Sequence, residues 1–491
     1  MNLFRDIFFI TILINTIFSF SVVFIERKNP TSTLAWMMVF LFIPGLGFLL
    51  YLFFGQNLHK TKMFTLKKFE DNLLREIIIK QEHEIEDKIM CYYDSTVSEY
   101  SDIIKMQLKT GDAFYTQNND VKIFIEGKQK FDSLLNDIES AKNHIHLLYY
   151  IFKNDDIGSL IMKSLIKKLK EGLKVRILYD GMGSSNTPDS FFKEFKENGG
   201  EVSCFFPIRV PRFQFRLNFR NHRKIAIIDG KTAYIGGFNV GDEYLGKNRE
   251  YGFWRDTHLR IQGEAVYSLQ LRFLMDWNYS SENKITVFST DEINENIDSI
   301  LFPEINCVKN AGMQIVSSGP DSESEQIKNG YLKLINKAKE SIFIQSPYFI
   351  PDESVTESLK IAALSGVDVR IMIPNKPDHP FVYWATLSNA ASLIKSGVKL
   401  YRYEKGFLHS KTIVVDRKLS SVGTANWDVR SFKLNFEVNS FIYDKNLSKQ
   451  LHEIFLSDVK NSIQITQEIY DRRSKFVIFK ESFSRLLSPL L

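Results

Sequence analysis

The sequence predicts an α/β protein, with two homologous α/β sandwich halves forming one site behind an N-terminal two-helix transmembrane hairpin. Three observations carry this expectation. Two long uncharged runs open the chain, a set of chemistry-bearing residues occurs twice at matched spacing, and each copy sits among alternating strand-like and helix-like segments. With 491 residues the chain exceeds one ordinary domain, and 44% hydrophobic against 25% charged residues excludes a disordered one.

The hairpin comes first. Ile7 to Ile25 is a run of 19 residues without a charge, which as a helix spans roughly 28 Å, near the thickness of a bilayer's hydrocarbon. A second uncharged run of 21 residues extends from Leu34 to Phe54, interrupted by Pro44, Gly45 and Gly47, residues that spanning helices tolerate. No small-residue cleavage site follows the first run, which sets it apart from a signal peptide. Lys60, Lys62, Lys67 and Lys68 after the second run outnumber Arg27 and Lys28 in the connection, so both ends are expected in the cytoplasm.

The duplication is read from His222-Arg-Lys224-Ile-Ala-Ile-Ile-Asp229, which recurs as His409-Ser-Lys411-Thr-Ile-Val-Val-Asp416. Asn239 and Asn426 each follow their histidine by 17 residues (239 − 222 and 426 − 409), and Glu250 and Glu437 each by 28 (250 − 222 and 437 − 409). Upstream, Gly172-Leu-Lys-Val175 parallels Gly366-Val-Asp-Val369. Strand-like runs at Ile145 to Phe152, Val175 to Tyr179 and Lys224 to Ile228 alternate with helix-like segments such as Ile157 to Leu169, the pattern of a layered α/β unit. The expected order is 1–58 hairpin, 59–108 helical connector, 109–285 first half, 286–309 linker, 310–465 second half and 466–491 amphipathic tail.

In a strand, residues two apart share a face, so His-x-Lys sets an imidazole beside an ammonium where a phosphate could bridge them. Breaking a phosphodiester requires a nucleophile at phosphorus, charge stabilisation on the non-bridging oxygens and an acid for the leaving alkoxide. One copy supplies a nucleophile and a cation. Two copies add the acid and a second cation. Histidine suits both tasks because its ordinary pKa of about 6.5 lies near neutrality. Lys224, Lys411, Asn239 and Asn426 are then expected on the phosphate oxygens.

Other features are weaker. His144 and His146 share the i, i+2 geometry without lysine, asparagine or acid, and read as packing or surface residues. Gly181-Met-Gly183-Ser reads as a turn. Arg209, Arg212, Arg216, Arg220 and Arg223 interleave with Phe205, Phe206, Phe213, Phe215 and Phe219, which fits either an anionic lipid interface or a solvated basic face over a satellite core. Phe476 to Leu491, with Lys480 and Arg485, reads as a membrane-surface segment or a docked terminal helix. Cys91, Cys204 and Cys307 are odd in number and widely spaced, which suggests no disulfide framework or zinc cluster. No nucleotide loop or metal-ligand set stands out, so no cofactor and no metal are expected. A net charge of +5 suits anionic phosphate without separating lipid from nucleic acid.

The HxKx4D motif, followed by a glycine-rich turn and an asparagine, resembles that of the phospholipase D superfamily. The wider chain resembles bacterial cardiolipin synthases over nearly its full length, through Asn29-Pro-Thr-Ser-Thr-Leu-Ala-Trp36, Pro44-Gly-Leu-Gly47, Asn221-His-Arg-Lys224, Trp254-Arg-Asp-Thr257 and Ser488-Pro-Leu-Leu491. The resemblance implies two phospholipase D-like halves, a catalytic set of His222, Lys224, Asp229, His409, Lys411 and Asp416, and a phosphohistidine intermediate. It also implies that a downstream acid fixes each imidazole, which by spacing falls on Glu250 and Glu437, leaving Asp229 and Asp416 with a more structural part. The residues allow either histidine to attack, and the family pattern favours His222. The implied reaction joins two phosphatidylglycerol molecules into cardiolipin and glycerol, with phosphatidylglycerol and anionic membrane lipids as partners, no nucleic acid, and a bacterial cytoplasmic membrane location. Rival readings are a nuclease, a phospholipase D or phosphatidylserine synthase, and a non-catalytic membrane scaffold.

Overall fold

The computed structural model describes residues 6, 10, 13, 16–17, 30–43, 47, 51, 71–207, 219–287, 292–305, 309–322, 324–376 and 378–487. Two units are distinguished. The smaller comprises residues 1–63, 209–219 and 490, and the larger comprises the rest.

In the smaller unit, helix Pro30–Phe42 begins on a proline, whose fixed φ and missing N–H suit a first helical turn. Trp36, Phe40 and Tyr51 form a buried aromatic cluster with ring centroids 5.1 to 6.4 Å apart, while Leu34, Met38, Leu41 and Phe42 are exposed. Among the described residues no helix is long and apolar enough to cross a membrane. The expected run 7–25 falls largely outside those residues, and of 34–54 they include 34–43, 47 and 51.

The larger unit contains the repeat. In the first half, strands β1 (Tyr115–Thr116), β2 (Asn119–Glu126), β3 (His144–Tyr149), β4 (Lys174–Asp180) and β5 (Glu201–Phe205) precede β6 (Arg220–Asn221), β7 (Ile225–Ile228), β8 (Thr232–Gly236) and β9 (Phe253–Gly263). The second half contributes β10 (Gly312–Ser318), β11 (Ser341–Gln345), β12 (Phe349–Ile350), β13 (Asp368–Pro374) and β14 (Lys399–Tyr403). It continues with β15 (Gly406–Leu408), β16 (Thr412–Val415), β17 (Leu419–Gly423), β18 (Trp427–Asp428), β19 (Asn435–Tyr443) and β20 (Ser462–Ile465).

One mixed sheet runs β9-β8-β7-β3-β4-β5 and the other β19-β17-β16-β11-β13-β14. The two are the same motif in the same order. Ile145 opposes Ile228 across β3 and β7, as Ile342 opposes Val415 across β11 and β16. β3, β4 and β5 are parallel, as are β11, β13 and β14, so helical crossovers must join them. Helix Asp156–Lys170 makes one such crossover and helix Glu353–Leu364 another. Asp155 caps the first by accepting from the Gly158 amide at 3.1 Å, and Asp352 caps the second by accepting from Val355 at 3.1 Å.

The expected segments are close to those observed, with helix 157–169 found at Asp156–Lys170 and strand 224–228 at Ile225–Ile228. The central strands Ile-Ala-Ile-Ile and Thr-Ile-Val-Val are buried on both faces because helices cover both. Residues ahead of the first half pack unexpectedly. Val97, Tyr100, Ile103 and Ile104 belong to the second half's core, and β1 pairs with β10 of that half's sheet. His144 and His146 are buried and bridged by the Gln270 amide, with His146 stacked against Phe273, which is packing, one of the two expected readings.

Asp229 and Asp416 act on the frame. Each follows a motif strand, in the left-handed region at φ 55° and 51°. The Asp229 carboxylate accepts from the amides of Lys142, Asn143 and His144 at 2.7 to 2.9 Å. Asp416 accepts from Lys339, Glu340 and Ser341 at 2.8 to 2.9 Å. Each thus ties the motif strand to the start of the strand beside it. The motif lists both with the catalytic residues, and these bonds are of the more structural kind expected of them. Asp416→Ala is expected to destabilise the protein by about 3 kcal/mol, since three amides lose a charged acceptor, whereas Asp416→Asn loses less. Denaturant unfolding in detergent checks this, and an unchanged midpoint for Asp416→Ala contradicts the bracing role.

Candidate active site

Each motif histidine lies just after a short strand that crosses to the other half. β6 pairs in parallel with the start of β19, setting Asn221 opposite Phe436, and β15 pairs in parallel with the start of β9, setting Leu408 opposite Arg255. The backbone completes both crossings. The His222 amide donates to the Phe436 carbonyl at 2.9 Å, and the His409 amide donates to the Arg255 carbonyl at 2.7 Å. The residue after each acceptor is a carboxylate, Glu437 or Asp256.

The side chains follow this exchange. His222 Nδ1 lies 3.1 Å from Glu437 Oε1, and His409 Nδ1 lies 2.6 Å from Asp256 Oδ2. Both carboxylates are fully buried, while the imidazoles keep 20% and 14% of their side-chain area exposed. A buried acid therefore lies against Nδ1 of each ring, hydrogen-bonded to it in His409, with Nε2 on the far side of the imidazole.

Glu437 was expected here and Glu250 was not found here. Glu250 is exposed in the 247–251 turn, where its amide donates to Asn248 Oδ1 and its carbonyl accepts from Lys376. Asp256 holds the position assigned to it. Equal spacing misled because the first half carries six more residues between its histidine and its acid: Asp256 follows His222 by 34 positions (256 − 222), against 28 for Glu437 after His409 (437 − 409). Strand alignment gives the right residue. Gly236 opposes His258 and Gly423 opposes Asn439, so the residues two positions earlier, Asp256 and Glu437, are equivalent. Aligning the glycine turns and the strands after them would have found it.

Gly237 clears space for Asp256, since a Cβ there would strike both carboxylate oxygens. Lys224 Nζ donates to the His222 carbonyl at 2.6 Å, and Lys411 makes the matching bond to His409. Burial pulls Lys224 down to about 8 and Lys411 to about 7, against the pull of Glu437 and Asp256. His222 is lowered by burial and His409 is lowered to about 4 by burial and Lys411. Lys224 also acts on His409 and on Lys411, so the two motifs share one electrostatic site.

The asparagines differ. Asn239 is committed to the fold, donating to the Tyr244 hydroxyl at 2.9 Å and accepting from the Ile151 amide at 3.1 Å. Asn426 is buried, and its Oδ1 has no hydrogen-bond partner among the described residues. Two aromatic neighbours were not anticipated: Tyr150, with its ring 4.2 Å from that of His222, and Trp254, 5.2 Å from that of His409.

The arginine and phenylalanine stretch resolves in part. Arg223 is buried with Nη1 2.6 and 2.7 Å from the Asp276 oxygens, and Phe205 and Phe206 pack on Phe436. These residues belong to the core, and with Arg220 and Arg223 buried neither expected reading, a lipid interface or a solvated basic face, describes them. Residues 208–218 lie outside the described ones. Gly181-Met-Gly183 is a turn closed on Asp180, whose Oδ1 accepts from the Met182 and Gly183 amides.

A family model described as cardiolipin synthase, PLD-like domain, matches residues 134–277 and 331–459, and one described as phospholipase D-nuclease N-terminal matches residues 13–56. The chain is 51% identical to a cardiolipin synthase of Listeria welshimeri over 491 residues, covering all of both chains. It is 51% identical to one of Oceanobacillus iheyensis over 482 residues, 98% of each chain. It is 48% identical to one of Staphylococcus aureus, over 99% of this chain and 97% of that one. Among solved structures, phosphatidylserine synthase of Haemophilus influenzae shares the fold at a TM-score of 0.57 and 14% identity, covering 76% of this chain and 95% of that one. Sequence, duplicated sheets and full-length likeness agree: the chain belongs to the cardiolipin synthases, phosphatidyltransferases of the phospholipase D type.

Proposed function

We propose that this chain transfers a phosphatidyl group from one phosphatidylglycerol to a second, giving cardiolipin and glycerol. The observation that supports this most is the crossed pairing of each imidazole with the other half's carboxylate, beside two buried lysines. One histidine Nε2 attacks phosphorus, the bond from phosphorus to the departing glycerol oxygen breaks, and the other histidine gives that oxygen a proton. The second phosphatidylglycerol then attacks the phosphohistidine through its free hydroxyl, returns a proton to the acid histidine and releases the nucleophile.

Burial holds both imidazoles neutral near pH 7. An incoming phosphodiester anion favours protonating one of them and keeps the lysines charged. Binding therefore sets the two protonation states that the mechanism requires. His222 as the attacking residue remains the reading favoured by the family pattern. Asp256 and Glu437 fix the tautomers, and Asn426, at the repeat position of Asn239, is assigned to donate from Nδ2 to a phosphate oxygen.

Purified enzyme supplied with phosphatidylglycerol alone, with chelator and no nucleotide, is expected to form cardiolipin and glycerol in equal amounts, since one phosphodiester is exchanged for another. Added glycerol should suppress net product. Mass spectrometry reads the outcome. Phosphatidic acid as the main product would indicate a phospholipase, and activity confined to added serine or to DNA would replace this reading.

Asp256→Asn and Glu437→Gln should each lower turnover about a hundredfold or more, because the imidazole tautomer is no longer enforced. Glu250→Gln should leave it unchanged. A severe loss in Glu250→Gln with none in Asp256→Asn would reverse the assignment.

Residues 7–25 and 34–54 form, in this reading, a transmembrane hairpin that holds the catalytic unit at the cytoplasmic face of a bacterial membrane. Their uncharged length and the family match over 13–56 support it. A single engineered cysteine near Lys28 should react with an impermeant thiol reagent in intact cells, whereas one near Lys60 should not. The opposite pattern inverts the topology.

A further inference from the structure

The C-terminal helix Lys475–Leu487 is built inside out. Among its described side chains the buried ones are Glu481 and Ser484, at 2% and 1% exposure, whereas Phe476, Phe479 and Phe483 are 65%, 65% and 47% exposed. A helix docked on a soluble core buries its apolar stripe and exposes its acids. This one does the reverse. Glu481 is held inward by Arg473 at 2.9 Å and by the Tyr470 hydroxyl at 3.0 Å, so the orientation is fixed by buried polar bonds.

The phenylalanines extend a patch that begins on another element. Phe381, 54% exposed, opens helix Pro380–Ala391, and its ring lies 6.3 Å from that of Phe483, which lies 6.3 Å from Phe479. Lys480 reaches across, over Trp384 at 5.2 Å and Phe476 at 4.4 Å. Lys475 and Arg485 are exposed on the same helix. An apolar stripe bordered by cations matches the boundary between acyl chains and anionic headgroups. The patch is also tied to the catalytic region. Asp378, three residues before Phe381, accepts from the Tyr348 hydroxyl and acts electrostatically on Lys411.

We propose that Phe381, Phe476, Phe479 and Phe483 form a second membrane contact, seated in the interface of an anionic bilayer, through which the catalytic unit meets its lipid substrate in the plane of the membrane. The inference rests on the phosphatidyltransferase reading above for its substrate, and on the inverted helix for its surface.

The test uses the full chain, freed of native cysteines and reconstituted in phosphatidylglycerol vesicles. Phe479→Cys carries an environment-sensitive fluorophore, and Lys193→Cys, on an exposed surface helix, carries the control. The Phe479 label should shift to the blue on transfer from detergent into vesicles, be quenched by nitroxides on the lipid chains and be shielded from aqueous iodide. The Lys193 label should respond only to iodide. Equal iodide quenching of both labels would overturn the proposal. So would shielding that appears already in detergent and grows with protein concentration, which would show a second copy on the patch. The triple variant Phe476→Ser, Phe479→Ser, Phe483→Ser should raise the apparent KM for vesicle lipid about tenfold and leave the rate on detergent-dispersed lipid unchanged. Equal loss in both assays would also overturn it. The label readout needs no turnover, so it stands apart from any failure of the cardiolipin assay.

Discussion

Everything at the candidate site depends on two short parallel strand crossings. β6 and β15 each leave their own half and hydrogen-bond to the first residues of the other half's long strand. A strand pairing fixes register, and register here decides which side chain faces each imidazole. The His222 amide on Phe436 and the His409 amide on Arg255 lock the positions one residue before the acids. The carboxylates therefore arrive by backbone geometry and need no flexible loop to deliver them. Buried lysines and buried acids then coexist in one enclosure, where each charge would be costly alone and is tolerable near its opposite.

The braces around the site follow the same logic of backbone capture. Asp229 and Asp416, at positive φ just past the motif strands, each collect three amides. Arg223 is pinned between Asp276 and the Glu437 carbonyl, and Arg255 between Asp458 and its own strand. Charged side chains at these positions orient the frame, while those at 222, 224, 409 and 411 gather where the two motifs act on one another. The motif thus mixes two kinds of residue that a sequence pattern displays identically.

That mixture explains what could be read in advance. The repeat was legible because both copies are complete and local, and the strands were legible from short apolar runs such as Ile-Ala-Ile-Ile. Glu437 was legible because its spacing happens to carry the geometry. Asp256 was not, since six additional residues in the turn at 242–251 broke the count. Asn239 matched Asn426 in position, yet Tyr244 from that same turn engages its amide. The swap of acids between halves lies beyond pattern reading altogether, because it depends on pairings between residues more than 150 positions apart. Helix 475–487 showed its mixed composition in the sequence, but only packing revealed that the phenylalanines face out.

The crossing of β6 and β15 repeats one contact under an approximate twofold relation, the arrangement of an isologous interface. Two identical chains meeting this way would be compelled to present identical environments to both histidines. Joined in one polypeptide, the partners are released from that identity. Here the release has been used: an aspartate faces one imidazole and a glutamate the other, and Gly237 stands where the second half has Thr424. A single chain can therefore differentiate an attacking group from a proton donor by ordinary substitution, a division of labour that symmetry would forbid.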